Sequence, residues 1–433
     1  MAQAFYTGVN GIQSHQYAID VVADNLANVN TTGFRSYSAE FASLYEKSIN
    51  THAEASSIDN SVGIGTRIHG ISMNENSGAY ILTDRSTDLA IMGDGWFGIQ
   101  SDGEPIYTRD GNFVFDTNRD LVTTDGFYVL GTMGDNVDGE ILTEQLQSVS
   151  LDSVSKQEKI RLPRDLLFPV QPTTEVNLYG NLGIEDEIKV VNAQAIDSQN
   201  QKNNIRLEFT KIDPQVLPGS QWSVVATAQS TELEPLYNPQ TTETTYVPKF
   251  IYDTKEGVVE FDEAGALLSS TITTVDNNGS AVIIDLGTQF GGLTATDNTV
   301  SSSYQSDGVE AGTLSGYDIN INGEIIAAFT NGKQSSVGTI AVFHFQNDRG
   351  LDRLTGTRFT QSSNSGEAIF YKNANGENIT GVTIVNHKLE GSNVEIEAGL
   401  TELIILQRSY DANSKSITTA DQMMQKALEM DAK

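Results

Sequence analysis

Apolar and polar positions follow two periods along this chain, and the places where the period changes divide it into segments. At the N-terminus Phe5, Val9, Ile12, Gln16, Ile19, Ala23 and Leu26 recur in steps of four and three, which puts them on one face of a helix. Gln16 is the one polar member. Gly8 and Gly11 lie inside the pattern, each costing about 1 kcal/mol relative to Ala, so this helix needs a partner to be stable. The C-terminus repeats the pattern at Leu403, Leu406, Tyr410, Asn413, Ile417, Ala420, Met424 and Ala427. Asn393 is placed as an N-cap, with Glu395 and Glu397 in the first turn and Lys426 and Lys433 near the end, all favourable to the helix dipole. A helix of that length spans about 55 Å, too long for a small domain to cover. The two seams predict terminal helices that meet each other, copies of themselves, or both. The competing expectation is that each helix is a lid on its own β core.

Between the ends the period falls to two. The run Asp24 to Arg35 holds three Asn and Gly33 and predicts a turn, with Gly33 a candidate for positive φ. Residues 36–75 are rich in Ser, Asn and Ala and read as an extended connector, without a packed core of its own. Residues 79–131 hold short β-type runs separated by Asp94-Gly95, Asp102-Gly103, Asp110-Gly111 and Asp125-Gly126, which are hairpin signals. From about 145 to 310 the chain carries eight of its nine prolines and Thr-rich runs such as 241–245, predicting a separate all-β domain with long loops. Alternation returns over 311–385. The order is helix, β, inserted β, β, helix, nested rather than tandem.

Charge and composition narrow the function. A formal net charge of −31 repels nucleic acid and anionic membranes. There is no cysteine, which excludes disulfides, thiolate catalysis and Cys-bound zinc. Neither a signal-peptide pattern nor an apolar run long enough to span a membrane is evident; a cytoplasmic protein or one exported without a cleaved signal fits equally. Gly93 to Gly98 matches G-x-G-x-x-G, but the following residues lead into a turn rather than a helix. Asp116 to Asp120 mimics an EF-hand start, then has Leu121 and Phe127 where Gly and Glu are needed. His15, His52, His69, His344 and His387 are scattered. No catalytic, metal or cofactor site is marked, although a sugar-binding or hydrolytic middle domain fits the composition.

Several stretches resemble the rod-and-hook family of bacterial flagellar axial proteins, and its hook branch in particular. They are Asn25-Leu-Ala-Asn-Val-Asn-Thr-Thr-Gly-Phe-Arg35, Leu89 to Gly98, Tyr107 to Phe113, Leu121 to Gly131, Leu389 to Ile396, Gln407 to Ser414 and Ile417 to Met424. The long insertion, Asn331-Gly-Lys-Gln and Phe345 to Leu351 look like the hook version rather than the distal rod protein, which is the alternative reading. Gly399 departs from the pattern by weakening the first helical turns. The resemblance marks Asn25, Asn28, Gly33, Phe34, Asn393, Gln407 and Arg408 as signature residues. It implies an α+β, mainly β fold: terminal helices in a coiled-coil-like core (1–35 and 390–433), a connector (36–75), a discontinuous β core (76–145 and 311–389) and an inserted outer β domain (146–310). Phe5, Val9, Ile12, Ile19, Leu26, Leu403, Leu406, Tyr410, Ile417 and Met424 would then be subunit contacts. The implied protein is no enzyme and carries no cofactor. It would be an extracellular subunit of the hook, a curved tube acting as a universal joint, exported without signal cleavage by the flagellar type III apparatus. Its partners would be further copies of itself, the distal rod protein, the hook cap protein and the hook–filament junction protein, with no nucleic acid and no membrane insertion. A monomeric β-rich binding module or carbohydrate-active enzyme is the remaining alternative; the latter needs a carboxylate pair in an aromatic cleft.

Overall fold

The computed structural model describes residues 2–44, 47–48, 61–101, 103–185, 188–215, 218–238 and 243–431. The chain is mainly β with one long helix at each end, α1 (Ala2–Ala27) and α2 (Ile396–Asp431). No described helix is long and apolar enough to cross a membrane. The two helices pack on each other along their length, and α2 begins later than its predicted cap. Asn393 does not cap it: its Oδ1 accepts from the Ser36 N–H at 2.6 Å and its Nδ2 donates to the carbonyls of Asn74 and Asn76. With its amide used on two other segments, at Ser36 and at Asn74 and Asn76, Asn393 works as a strap rather than a helix start.

The connector is folded where it is described. Tyr37–Ser43 and Thr66–Met73 pair antiparallel with a bulge at Glu40/Phe41, and the ribbon lies on α1, where Ala39 and Ile68 pack against Ala18, Val22 and Leu406. Its mostly half-exposed strands are why composition gave it no core. Residues 49–60, with His52, lie outside the described residues.

One large sheet combines strands from both sides of the insertion. Tyr128–Met133 pairs with Gln334–Ile340, and Leu167–Phe168 pairs with Gly312–Ile319. Nearby, Leu89–Met92 pairs with Thr383–Asn386 and Tyr80–Leu82 with Lys388–Glu390. The hairpin signals divide. Asp125-Gly126 sits between paired strands, and so does Gly103, whose neighbour Asp102 lies outside the described residues, whereas Asp94-Gly95 and Asp110-Gly111 join strands that pair elsewhere. Gly111 serves close approach instead, since a Cβ there would stand 1.8 Å from the Leu89 carbonyl oxygen.

The pairing does not change near 145, where the composition shifts. Ile160, Leu162, Leu166 and Phe168 are buried in the core of the large sheet, so the boundary expected at 145/146 falls about 25 residues early. The change comes at Gln171 and Val309, which bridge each other with both backbone hydrogen bonds, 2.9 and 2.8 Å. Beyond that bridge two five-stranded sheets enclose a separate core around Trp222, Phe209 and Phe261. At the crossing the Asp307 carboxylate accepts from the N–H groups of Thr174 and Glu175 and from the Thr174 hydroxyl. Burial opposes its ionisation, and these donors outweigh burial, holding the carboxyl below its ordinary value.

Candidate assembly interface

The seam between the helices is set by the smallest residues of α1. The buried positions of α1 are Gly8, Gly11, Ser14, Ala18, Val22 and Asn25, mostly one residue before the expected Val9, Ile12, Ile19, Ala23 and Leu26 and away from Phe5 and Gln16; Ser14 turns its hydroxyl to the Thr66 carbonyl of the ribbon. A Cβ on Gly8 would come within 2.7 Å of Ile417 Cγ1, and one on Gly11 within 2.7 Å of the Asn413 carboxamide. Close backbone approach, which only Gly permits here, is the gain that offsets their poor helix propensity. The larger Phe5, Val9 and Ile12 stand half-buried on the flank, and Gln16 and Ala23 are exposed. Ile19 and Leu26 reach back to the cluster of Ala18, Val22 and Leu406.

On α2 the expected positions face α1. Leu406 and Ala420 are buried, and Leu403, Tyr410, Asn413, Ile417 and Met424 are half-buried; Ala427 is exposed. Asn413 satisfies its amide on the Ser409 carbonyl one turn earlier, at 3.0 Å. Substituting Ile417→Asp or Leu403→Asp should each loosen the helix pair by about 2–3 kcal/mol, whereas exposed Lys415→Asp should stay within about 0.5 kcal/mol. Circular dichroism melts of the three variants check this, and equal losses would mean that the helix phase is wrong.

Outside the seam α2 remains apolar. Ile396, Leu400, Ile404, Ile405, Met423, Leu428 and Met430 are all exposed, the last two by 71% and 76%. Tyr6 and Tyr17 are exposed on α1. Gln407 and Arg408 also lie on the exposed surface of α2.

The other signature residues converge on a knot where the helices leave the β core. Asn25 pairs both backbone groups of Tyr37, donating to its carbonyl at 2.7 Å and accepting from its N–H at 2.9 Å. Asn28 donates back to the Asp24 carbonyl and accepts from the Thr31 hydroxyl, closing the turn. Gly33 has φ +68° and donates its N–H to the Glu390 carbonyl at 2.7 Å; a Cβ would meet the backbone of Asp110 at 2.5 Å. Phe34 is buried, with the Arg353 guanidinium over its ring.

At the centre of the knot is an ion group that sequence reasoning missed. Glu390 Oε1 meets the Arg35 guanidinium at 2.8 Å and Oε2 meets that of Arg109 at 3.3 Å; all three side chains are at most 3% exposed. The Gly78 N–H donates to Glu390 at 3.2 Å, Arg109 donates to the Gly93 carbonyl at 2.7 Å, and Arg35 donates to the carbonyls of Glu75 and Asn76. Burial pushes the Arg35 pKa below its ordinary value and Arg109 adds to this, with Glu390 opposing. Arg35 and Glu390 both lie inside signature stretches, but one carboxylate among 57 acidic residues gives no signal alone.

The chemistry elsewhere is structural. Asp120 is fully buried and held by Lys159 and Arg161, and Asp116 accepts from the N–H groups of Asn118 and Asp120, so the EF-hand mimic is an ordinary turn. His344 is buried with Nε2 2.6 Å from the Thr380 carbonyl oxygen; burial lowers its pKa. Among the described residues no group of three or more acidic or His side chains is arranged to hold a metal.

Comparisons with known proteins agree with this anatomy. Residues 5–35 match the family described as flagella basal body rod protein, 90–177 the flagellar hook protein FlgE/F/G D1 domain, and 385–430 the flagellar basal body rod FlgEFG protein C-terminal. Flagellar hook protein FlgE of Treponema pallidum is 27% identical, over 99% of this chain and 100% of its own length. Those of Borreliella burgdorferi and Escherichia coli are each 26% identical, over 99% and 97% of this chain and 100% and 98% of theirs. The fold is similar to the crystal structure of Helicobacter pylori flagellar hook protein FlgE2, at TM-score 0.51 and 15% identity, covering 72% of this chain and 100% of that one. Matched segments at both helices and in the β core, with hook relatives aligned along nearly its full length, support reading the chain as a structural subunit of the bacterial flagellar hook.

Proposed function

We propose that the chain polymerises through its paired terminal helices into the curved tube that passes torque from rod to filament as a universal joint. The observation that carries this is the exposed apolar surface left on α2 after α1 is packed against it. In water that surface is unfavourable, and burying it against copies of the same helix pair removes it. Residues 1–35 and 390–433 are the axial, coiled-coil-like core, with Phe5, Val9 and Ile12 on its free flank as further subunit contacts. The β core is discontinuous, built from both sides of a nested outer domain that faces solvent. The subunit leaves the cell through the flagellar type III export apparatus without signal cleavage and acts outside it as a structural part, not an enzyme. It meets the distal rod protein at one end of the tube, and the cap and hook–filament junction proteins at the other.

Truncation tests this reading. Removing residues 1–30 or 394–433 should abolish tube formation, followed by sedimentation and electron microscopy, while the β-sheet signal survives. The cut at 394 leaves the Asn393 strap in place. A truncated chain that still forms tubes sinks the proposal, and collapse of the β signal would restore the reading of the helices as lids.

A further inference from the structure

The outer domain carries a second unpartnered surface, far in sequence from the helices. Strands Ser220–Ser230 and Ile251–Phe261 pair inside a five-stranded sheet. Between them the chain extends as a ribbon of only two strands, Leu233–Asn238 and Glu243–Pro248. Among the described residues no third strand pairs with it. An isolated two-stranded ribbon is marginal in water, and this one is exposed along almost its whole length.

Its register makes it two-faced. Leu233 is opposite Pro248, and Pro235 is opposite Tyr246. By strand alternation Tyr237 shares their side, and Phe250 continues it beyond Pro248. That face carries Leu233, Pro235, Tyr237, Tyr246, Pro248 and Phe250, with Thr244 opposite Tyr237 as its one polar member; Leu233, Tyr237, Tyr246 and Phe250 are between 53% and 68% exposed. The opposite face is mixed, Glu234 and Thr245 alternating with Leu236 and Val247, so the aromatic groups are gathered on the first face. Phe250 stacks on Tyr252, which packs against the outer-domain core, so the apolar strip is rooted in that core. The prolines remove ladder donors and disfavour growth of the sheet at the ribbon's edges. Docking by the face is what remains.

We propose that this ribbon is an arm that lays its apolar face on a second copy of the same chain in the assembled tube. The proposal rests on the polymer reading above and goes beyond it, since the helices account for the axial contacts alone. Each copy carries a net charge of −31, so neighbouring outer domains repel one another over the Debye length. Attraction between them has to come from apolar surface, and the ribbon concentrates that surface in one place. Glu232 and Lys249 at its root are already paired with each other at 2.9 Å, which leaves the face free of an unpaired cation.

The chain has no cysteine, so Leu233→Cys carries a single benzophenone label. Irradiated tubes should give dimers on denaturing gels, with the cross-link between two chains, and irradiated monomer should give none. Tyr237→Asp with Tyr246→Asp should raise the critical concentration for tube formation at least tenfold with the monomer melt unchanged. Cross-links confined to one chain, or unaltered polymerisation of the double variant, overturn the arm while leaving the polymer reading intact. Failure of the unsubstituted chain to form tubes overturns both.

Discussion

Replacing Glu390 by Ala should cost the β core about 3–5 kcal/mol, because it leaves two guanidinium groups buried against each other without their anion. Arg35 and Arg109 are each at most 3% exposed and share that single carboxylate. Neither can move to water without unfastening what it holds: Arg35 the carbonyls of Glu75 and Asn76, Arg109 that of Gly93. The Gly78 N–H loses its acceptor as well. For a unit of this size the loss lowers the melting temperature by roughly 10 °C or more. Calorimetry should show the fall in the core transition only, since the outer domain's own core does not include this group. Glu390→Gln should fall between, keeping acceptor and shape but not charge. Removing all three charges, as Arg35→Met, Arg109→Met and Glu390→Leu, should recover much of the loss, because deleting a whole buried ionic group costs less than orphaning part of it. A Glu390→Ala protein that melts like the unsubstituted chain would show that the knot does not hold the helices to the core.

How far the sequence reached can be judged residue by residue. The side of α2 that meets α1 could be read because Leu403, Leu406, Tyr410 and Ile417 are large and recur at helical spacing, although the exposed Ile404 and Ile405 beside them are equally apolar. The face of α1 was not, for a physical reason. A hydrophobic stripe weights big side chains, while the helices meet through Gly8, Gly11 and Ala18, where the gain is proximity rather than apolar area. Gly33 was legible as a turn residue, and its φ of +68° is what a turn there demands. The ribbon of residues 37–43 and 66–73 was not, since only Ala39 and Ile68 pack into the helix cluster and the rest alternates weakly. Asn25 and Asn393 could be marked by resemblance, but what their amides do depends on segments 12 and 357 residues away. The same holds for Glu390: ion pairs between distant stretches leave no local trace.

The insertion is where structure sharpens the sequence reading into an experiment. Gln171 and Val309 already form a doubly hydrogen-bonded antiparallel pair. Replacing residues 172–308 by Asn-Gly therefore asks the chain only for a two-residue hairpin of the favoured kind. The core should fold with nearly unchanged stability, losing minor contacts across the boundary such as Ala311 to Asn200 and Lys202 to Glu310. A cut at the composition boundary, deleting 146–310, should fail. It removes Ile160, Leu162, Leu166 and Phe168 from the core, at about 2–5 kcal/mol for each large buried side chain lost. The first deletion keeps both helices and the knot, so tubes should still form. What disappears is the outer shell of contacts, including the ribbon, and with it the restraint on how far neighbouring subunits can slide. The tubes should be straighter or more variable in curvature, and cells carrying them should swim poorly even though hooks are exported and assembled. Imaging hooks in a hookless strain complemented with the 172–308 deletion decides the matter. Normal curvature with full motility would mean that the joint's shape is set wholly by the helices and the β core.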